Sequence, residues 1–294
     1  MGIYHYTSAQ GVLGLLQHGE FWATEINFMN DYRELHEGIA VLNLLKDRFK
    51  TALNKIEISS HNEQEFNETF EIIIEMTVDM VKASTTNIVS FSTDEDYLRQ
   101  WMSYCPSNNG YCIEFDKEKL ANYCSSKNLQ LSKVEYNIGT VLSGKEYLDL
   151  NNIILEVVAE VYRWQFPDKE IKSESVKLRF NKAENLTSLI KRLQFIVARI
   201  KPSKFVDENE YRIIDFSPNV PQQYRERNGV IIPYKEIPFP IEAITKITIG
   251  PSSNQELAKK GLEILRGTLK EKYLKKDELL DFKIVLSECS LRQF

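Results

Sequence analysis

The sequence predicts an α+β fold, on three observations. Short runs rich in aromatic and β-branched residues open the chain, at Ile3–Thr7 and Phe21–Thr24, and return beyond residue 210. Between them, apolar residues recur every three or four positions over long stretches, the period of amphipathic helices. The two kinds of segment do not alternate in the regular manner of a doubly wound sheet. A chain of 294 residues, 43% hydrophobic and 27% charged, can bury a full core. Without a clean linker, internal repeat or low-complexity segment, it reads as one domain over 1–294 with a helical insertion at about 140–204.

In order, the first strand spans Ile3–Thr7, and Ser8 is placed to cap a helix from Ala9 to Gln17 that Gly19 ends. Phe21–Thr24 resumes extended chain, and residues 27–31 form a polar loop. Ile39, Leu42, Leu45, Phe49 and Leu53 mark a helix from Glu34 to Leu53; Phe66, Phe70, Ile73 and Met80 mark an acidic one over about 63–80. Asn87–Ser92 alternates as a strand, and a short helix runs through Tyr97, Leu98 and Trp101. A turn at 106–110 leads to the strand Gly110–Phe115, and Asp116 caps a helix from Lys117 to Tyr123. A weaker strand is expected at Lys133–Asn137, then long helices at Leu148–Trp164 and Ser173–Ile200 around Pro167. Strands follow at Tyr211–Phe216, Gly229–Tyr234 and Ile244–Ile249. A helix from Asn254 to about Leu274 precedes a last strand, Phe282–Leu286.

Composition excludes several classes. No apolar run of about 18 residues exists, so no membrane span is expected. The start lacks a basic stretch followed by an apolar one, and the four cysteines have no CxxC spacing; a cytoplasmic chain with reduced thiols and no metal is expected. Walker A, GxGxxG, HExxH and GxSxG sequences are absent. The net charge of −5 is unevenly spread. Residues 56–81 hold seven acids and no Lys or Arg, whereas residues 163–204 hold eleven bases and four acids. The basic block reads either as a solvated helical pair or as a nucleic-acid contact.

What remains is a set of polar and aromatic residues beside predicted strands: His5, Tyr6, Thr7, Asn30, Ser90, Ser92, Trp101, Tyr104 and Tyr111. To these the segment Glu208-Asn209-Glu210-Tyr211-Arg212 adds two carboxylates one residue apart, just ahead of an apolar strand. Residues i and i+2 of a strand share a face, so both acids can project into one cleft. Arg212, on the same face, reads as a structural partner for a carboxylate. Each residue alone has an ordinary explanation: a hydrogen-bonded core histidine, a Trp and Tyr packing a helix onto a sheet, strand serines, a solvated loop.

Several motifs in fixed order resemble a large bacterial family carrying a domain of unknown function: Tyr4-His5-Tyr6-Thr7; Phe28-Met29-Asn30-Asp31-x-x-Glu34; Ser90-Phe91-Ser92; Trp101-x-x-Tyr104; Gly110 to Phe115; Glu208 to Arg212; and Ile244 to Pro251. The opening strand, helix and Gly also resemble the start of toxins that ADP-ribosylate DNA. That second resemblance implies an ADP-ribosyltransferase-like split β-sheet gripping NAD. It implies His5 at the nicotinamide ribose, a late catalytic glutamate, Glu210 in preference to Glu208, and a middle position filled by Ser90 and Ser92 or by Tyr111.

The residue types suit that chemistry. Breaking the nicotinamide–ribose bond builds positive charge on the sugar, which a fixed carboxylate stabilises. A second carboxylate can orient or deprotonate the acceptor. The resulting expectation is an NAD-dependent mono-ADP-ribosyltransferase, a toxin or phage-defence effector modifying RNA or DNA held partly by 163–204. The acidic helix is expected either as a solvated face or as a docking face for a neutralising antitoxin protein. The alternatives are a nucleotide or nucleic-acid binding module without transferase activity, or an NAD glycohydrolase.

Overall fold

The computed structural model describes residues 2–29, 86–105, 110–127, 129–136, 194–217, 220–227, 229–274 and 280–289, with isolated positions at 36, 38–40, 68, 71–72, 75, 78–79, 82–83 and 191. The helices expected at 34–53, about 63–80, 148–164 and 173–200 fall largely or wholly outside these residues, as does Asn30. The chain divides into two compact units. One comprises Met1–Glu25, Asn87–Val134 and Phe205–Phe294, the other Ile26–Thr86 and Glu135–Lys204. In the second unit Glu135 bridges Ile200, and Ile196, Val197 and Ala198 are buried. A Cβ at Gly38 would meet Val197 at 2.5 Å, so the chain passes it closely.

The first unit is α+β and is built on one ten-stranded mixed sheet. Strand β1 (Gly2–Ser8) runs into helix α1 (Ala9–His18). Ser8 Oγ accepts from the Gly11 amide at 3.2 Å, and Gly19 ends the helix at φ 72°, a left-handed turn that glycine adopts without strain. Then follow β2 (Glu20–Glu25), β3 (Asn87–Ser92), α2 (Leu98–Tyr104) and β4 (Gly110–Asp116). Helix α3 (Lys117–Ser126) starts where Asp116 accepts from the Glu118 and Lys119 amides at 2.9 and 3.1 Å. The chain continues through β5 (Gln130–Lys133), a 3₁₀ turn (Ser203–Glu208), β6 (Glu210–Asp215), β7 (Gln223–Arg227), β8 (Val230–Pro238) and β9 (Ile244–Ile249). Helix α4 (Gln255–Leu274) leads to β10 (Lys283–Leu286).

Three strands depart from the sequence expectation: β8 runs four residues past its expected end at Tyr234, to Pro238, and two others differ more. The weak strand lies at Gln130–Lys133 rather than 133–137: it pairs with β6 from Gln130↔Ile214 to Lys133↔Tyr211. Strand β7 was not anticipated, because Gln-Tyr-Arg-Glu-Arg has no apolar alternation. Among the described residues it is an edge strand that pairs only with β8.

The strand order is β10-β9-β4-β1-β3-β2-β8-β7, with β6 on the other edge of β3 and β5 beside β6. β1 meets β3 only at Tyr4↔Ser92, and β2 meets it at Thr24↔Ile88 and Glu25↔Asn87. The sheet therefore forks at β3. Ser90 sits between the two registers.

The first face of the sheet carries the main core: Ile3, Phe21, Val89, Phe91, Ile113, Phe115 and Ile213, covered by Val12, Leu15 and Leu16 of α1 and by Leu262 and Leu269 of α4. Phe21 stacks on Phe239 at 4.3 Å and meets Phe91 and Phe115 edge-on or tilted at 5.5 and 5.2 Å. The second face carries a smaller cluster of Tyr6, Trp101, Cys105 and Cys112 beneath α2.

Candidate functional site

The two faces divide the predicted site residues. Directly paired strand residues point the same way. Tyr4 pairs with Ser92, and Ser92 pairs with Glu210, so Tyr4, Tyr6, Ser90, Ser92, Glu210 and Arg212 share the second face. His5, Thr7 and Tyr111 lie on the first: Thr7 pairs with Tyr111, and His5 with core Ile113. His5 and Glu210, which the resemblance sets in one cleft, occupy opposite faces.

At the fork, His5 Nδ1 donates to the Ser90 carbonyl at 2.8 Å. A carbonyl only accepts, so Nδ1 carries the proton and Nε2 holds the lone pair. The ring stands 5.7 Å from Phe91 and 6.2 Å from Phe21. Burial pushes its pKa below 6.5, against a smaller upward effect of the Ser90 bond, and the positive charge of Arg225 lowers it further. Thr7 lies under the first turn of α1, where Gly11 leaves room for it. Tyr111 is half-buried against the core, and burial raises its pKa.

On the second face, the acid pair is built by the turn ahead of β6 rather than by strand alternation. Glu208 ends the 3₁₀ turn, Asn209 adopts φ 44°, and Glu210 opens the strand. Asn adopts this left-handed conformation more readily than most residues. Here Asn209 Nδ2 donates to Asp94 Oδ2 at 3.0 Å, and its carbonyl accepts from the Thr93 amide at 3.1 Å. The Glu208 carbonyl accepts from Ser92 Oγ at 2.8 Å and from Gln100 Nε2 at 3.4 Å. The Glu208 carboxylate accepts from Tyr104 Oη at 3.2 Å. Alongside, Arg99 of α2 pairs with Asp207.

Glu210 is only 3% exposed and Arg212 is fully buried. Arg212 Nε and Nη2 donate to the two Glu210 oxygens at 2.8 and 3.0 Å, a bidentate clamp between residues i and i+2. Ser90, opposite Arg212, has a buried hydroxyl with no hydrogen-bond partner among the described residues.

Tyr6 and Trp101 are framework. Tyr6 Oη donates to the Asp94 carbonyl at 2.8 Å and accepts from the Tyr97 amide at 3.0 Å; burial pushes its pKa up. Its ring meets Trp101 edge-on at 4.8 Å, and Trp101 is 1% exposed. Trp101 Nε1 donates to Asp96 Oδ1 at 2.7 Å. The same carboxylate accepts from Ser287 Oγ and, at 2.8 Å, from the Glu288 amide. Tyr4 donates to Glu95 and its pKa is pushed up to about 12, by burial first and then by Glu114 and Glu95. Gln100, Asp94, Asp96 and Asn209 were invisible as site builders in the sequence, since their side chains act across segments more than 100 residues apart, which no spacing encodes.

The arrangement offers one carboxylate held in place by a tyrosine hydroxyl and a second neutralised by a buried guanidinium. Such a pair can stabilise positive charge and accept a proton. A surface depression of about 280 Å³ lined by Gly2, Glu114, Asp116, Lys246 and Lys283 borders none of these residues. Among the described residues no group of three or more His, Cys, Asp or Glu is arranged to hold a metal ion, and no helix is long and apolar enough to cross a membrane.

No curated protein and no solved structure matches the chain. Residues 100–213, from α2 to β6, match the model of a family described as "Protein of unknown function (DUF2971)", a span that includes Tyr104, Glu208, Glu210 and Arg212 and stops short of His5 and Ser92.

Proposed function

We propose that the chain is an NAD-dependent mono-ADP-ribosyltransferase of ADP-ribosyltransferase-like fold, with Glu208 as the carboxylate that works on the sugar. The observation that carries this reading is the acid pair ahead of β6. Glu208 is fixed at its backbone by Ser92 and at its side chain by Tyr104, and Glu210 is clamped by Arg212. A carboxylate held this firmly is ready to meet a developing positive charge without reorganising. The forked sheet is compatible with a split-sheet fold. The partnerless Ser90 hydroxyl is a group that a ligand amide or hydroxyl would satisfy.

NAD supplies an activated glycosidic bond whose cleavage releases neutral nicotinamide and leaves positive charge on the ribose. Glu208 stabilises that charge, and Tyr104 and Ser92 hold it in place. Glu210, already neutralised, keeps the turn and strand in register. As the acceptor's nucleophile bonds to the sugar, its proton passes to the Glu208 carboxylate. His5 has a framework role in this reading, since its Nδ1 proton is committed to Ser90. The acceptor is RNA or DNA, drawn partly by the basic segment 163–204, and the setting is a toxin or phage-defence effector neutralised by an antitoxin protein.

The test is label transfer from NAD to RNA, DNA or lysate. Wild type labels one of these, and Glu208→Gln lowers the rate on the order of 100- to 1000-fold with unchanged thermal unfolding. Free ADP-ribose without a labelled product identifies water as acceptor. No NAD loss at all, or a Glu208→Gln variant as active as wild type, discards the reading. The separation of His5 from the acids favours a second reading, nucleotide or nucleic-acid binding with no transfer. Binding that ignores Glu208→Gln, together with intact NAD, supports it.

A further inference from the structure

Helix α4 presents two stripes. Leu262, Leu269 and Tyr273 are buried against the sheet, with Ala258 and Leu265 packed beside them. On the opposite side lie Leu257, Lys260, Ile264, Gly267, Glu271 and Leu274, every one exposed. Their spacing runs three, four, three, four, three, the a/d repeat of a helix that packs along a second helix. Leu257, Ile264 and Leu274 are 71%, 64% and 70% exposed, a concentration of large apolar side chains that one helix face in water does not need. A Cβ at Gly267 would meet nothing within 4 Å, so the helix backbone is open there to close approach.

The stripe reads the same from both ends. In an antiparallel pair of identical helices centred between Leu265 and Arg266, Leu257 faces Leu274 of the second copy. Lys260 then faces Glu271, and Ile264 faces Gly267. Each a position meets a d position, as antiparallel packing requires. The apolar ends cap the contact, the charges are complementary twice over, and the branched side chain fills the space the glycine leaves. A parallel pair would instead set Lys260 against Lys260 and Glu271 against Glu271, like charges in two of the six layers.

We infer that this face of α4 is a self-association surface, and that the occupant is the same helix of a second copy of this chain, antiparallel about a twofold axis. The stripe spans about 25 Å, at 1.5 Å per residue. One helix pair of that length falls short of a standard interface of about 800 Å² per partner, so dissociation in the micromolar range is expected.

Sedimentation velocity on the full chain, from low to high micromolar concentration, tests this. Wild type moves from monomer to dimer across the series. Lys260→Glu and Glu271→Lys each create two like-charge contacts and raise the dissociation constant on the order of tenfold or more. The double variant Lys260→Glu/Glu271→Lys restores complementarity and returns it to the wild-type range. Both substitutions are on exposed positions, and circular dichroism checks that each of the three variants keeps its fold. A wild-type chain that stays monomeric throughout overturns the inference. So does a dimer that both single reversals leave intact, or one that the double reversal fails to rescue.

Discussion

Replacing Arg212 by Met tests how far β6 depends on its buried ion pair. Arg212 is fully buried and Glu210 nearly so, and two short bonds join them. Met keeps much of the volume of the Arg stem but removes the charge and the donors to both Glu210 oxygens. Taking two charges out of water together is close to neutral, whereas stranding one of them costs about 3–5 kcal/mol. Arg212→Met is therefore expected to lower unfolding stability by that amount at neutral pH, read as a shift of the urea midpoint followed by circular dichroism. The loss shrinks under acid, because protonating the Glu210 carboxyl removes the charge that Arg212 no longer offsets. Adding Glu210→Gln recovers a large part of it, since an amide tolerates burial better than a carboxylate that has lost the Arg212 charge. A single-variant cost below about 1 kcal/mol, or no recovery in the double variant, refutes the account of Glu210 as a clamped charge.

Two further outcomes follow from the same geometry. Because the folded-state pKa of His5 is lowered, the stability it contributes is complete above its unfolded value of 6.5 and is lost as pH falls toward the folded-state value. Melting temperature against pH should show that fall in wild type, and His5→Gln should flatten it. Gly250→Ala puts a Cβ 2.8 Å from Trp101 Cζ3 and 2.9 Å from the Gly110 carbonyl oxygen. Neither neighbour is a flexible tip, so chemical denaturation should register a loss of about 1–3 kcal/mol.

Much of the fold was legible because its signals are local. The Ser8 cap, the Gly19 stop, the Asp116 cap and the strand Asn87–Ser92 each depend on a few neighbouring residues, and each stands where the sequence predicts it, although the strand is buried on both faces rather than alternating. Strand β7 was not legible, because a polar edge strand is specified by its partner β8 and not by its own pattern. The residues gathered around the acid pair were legible in composition but not in orientation. Glu208, Glu210, Ser92 and Tyr104 do assemble, and Arg212 does partner a carboxylate. Which face His5 takes relative to Glu210 follows from the register of β1 with β4 and, at Tyr4↔Ser92, with β3, tertiary pairings that one sequence does not encode locally. The link between the acids was misjudged for a related reason. Two glutamates flanking an asparagine suggest a strand, whereas the positive φ of Asn209 makes them the two sides of a turn.

The Asp96 carboxylate makes the position of α2 dependent on chain that lies 191 residues away in sequence. Trimming the protein just past Leu286 would spare every strand, yet it would strip the Ser287 hydroxyl and the Glu288 amide from Asp96. The indole of Trp101 would then be the last of those three donors, and the helix that delivers Tyr104 to Glu208 would lose an anchor. Expression boundaries and carboxy-terminal fusions should therefore be chosen to keep Ser287 and Glu288, even when the far end of the chain looks dispensable.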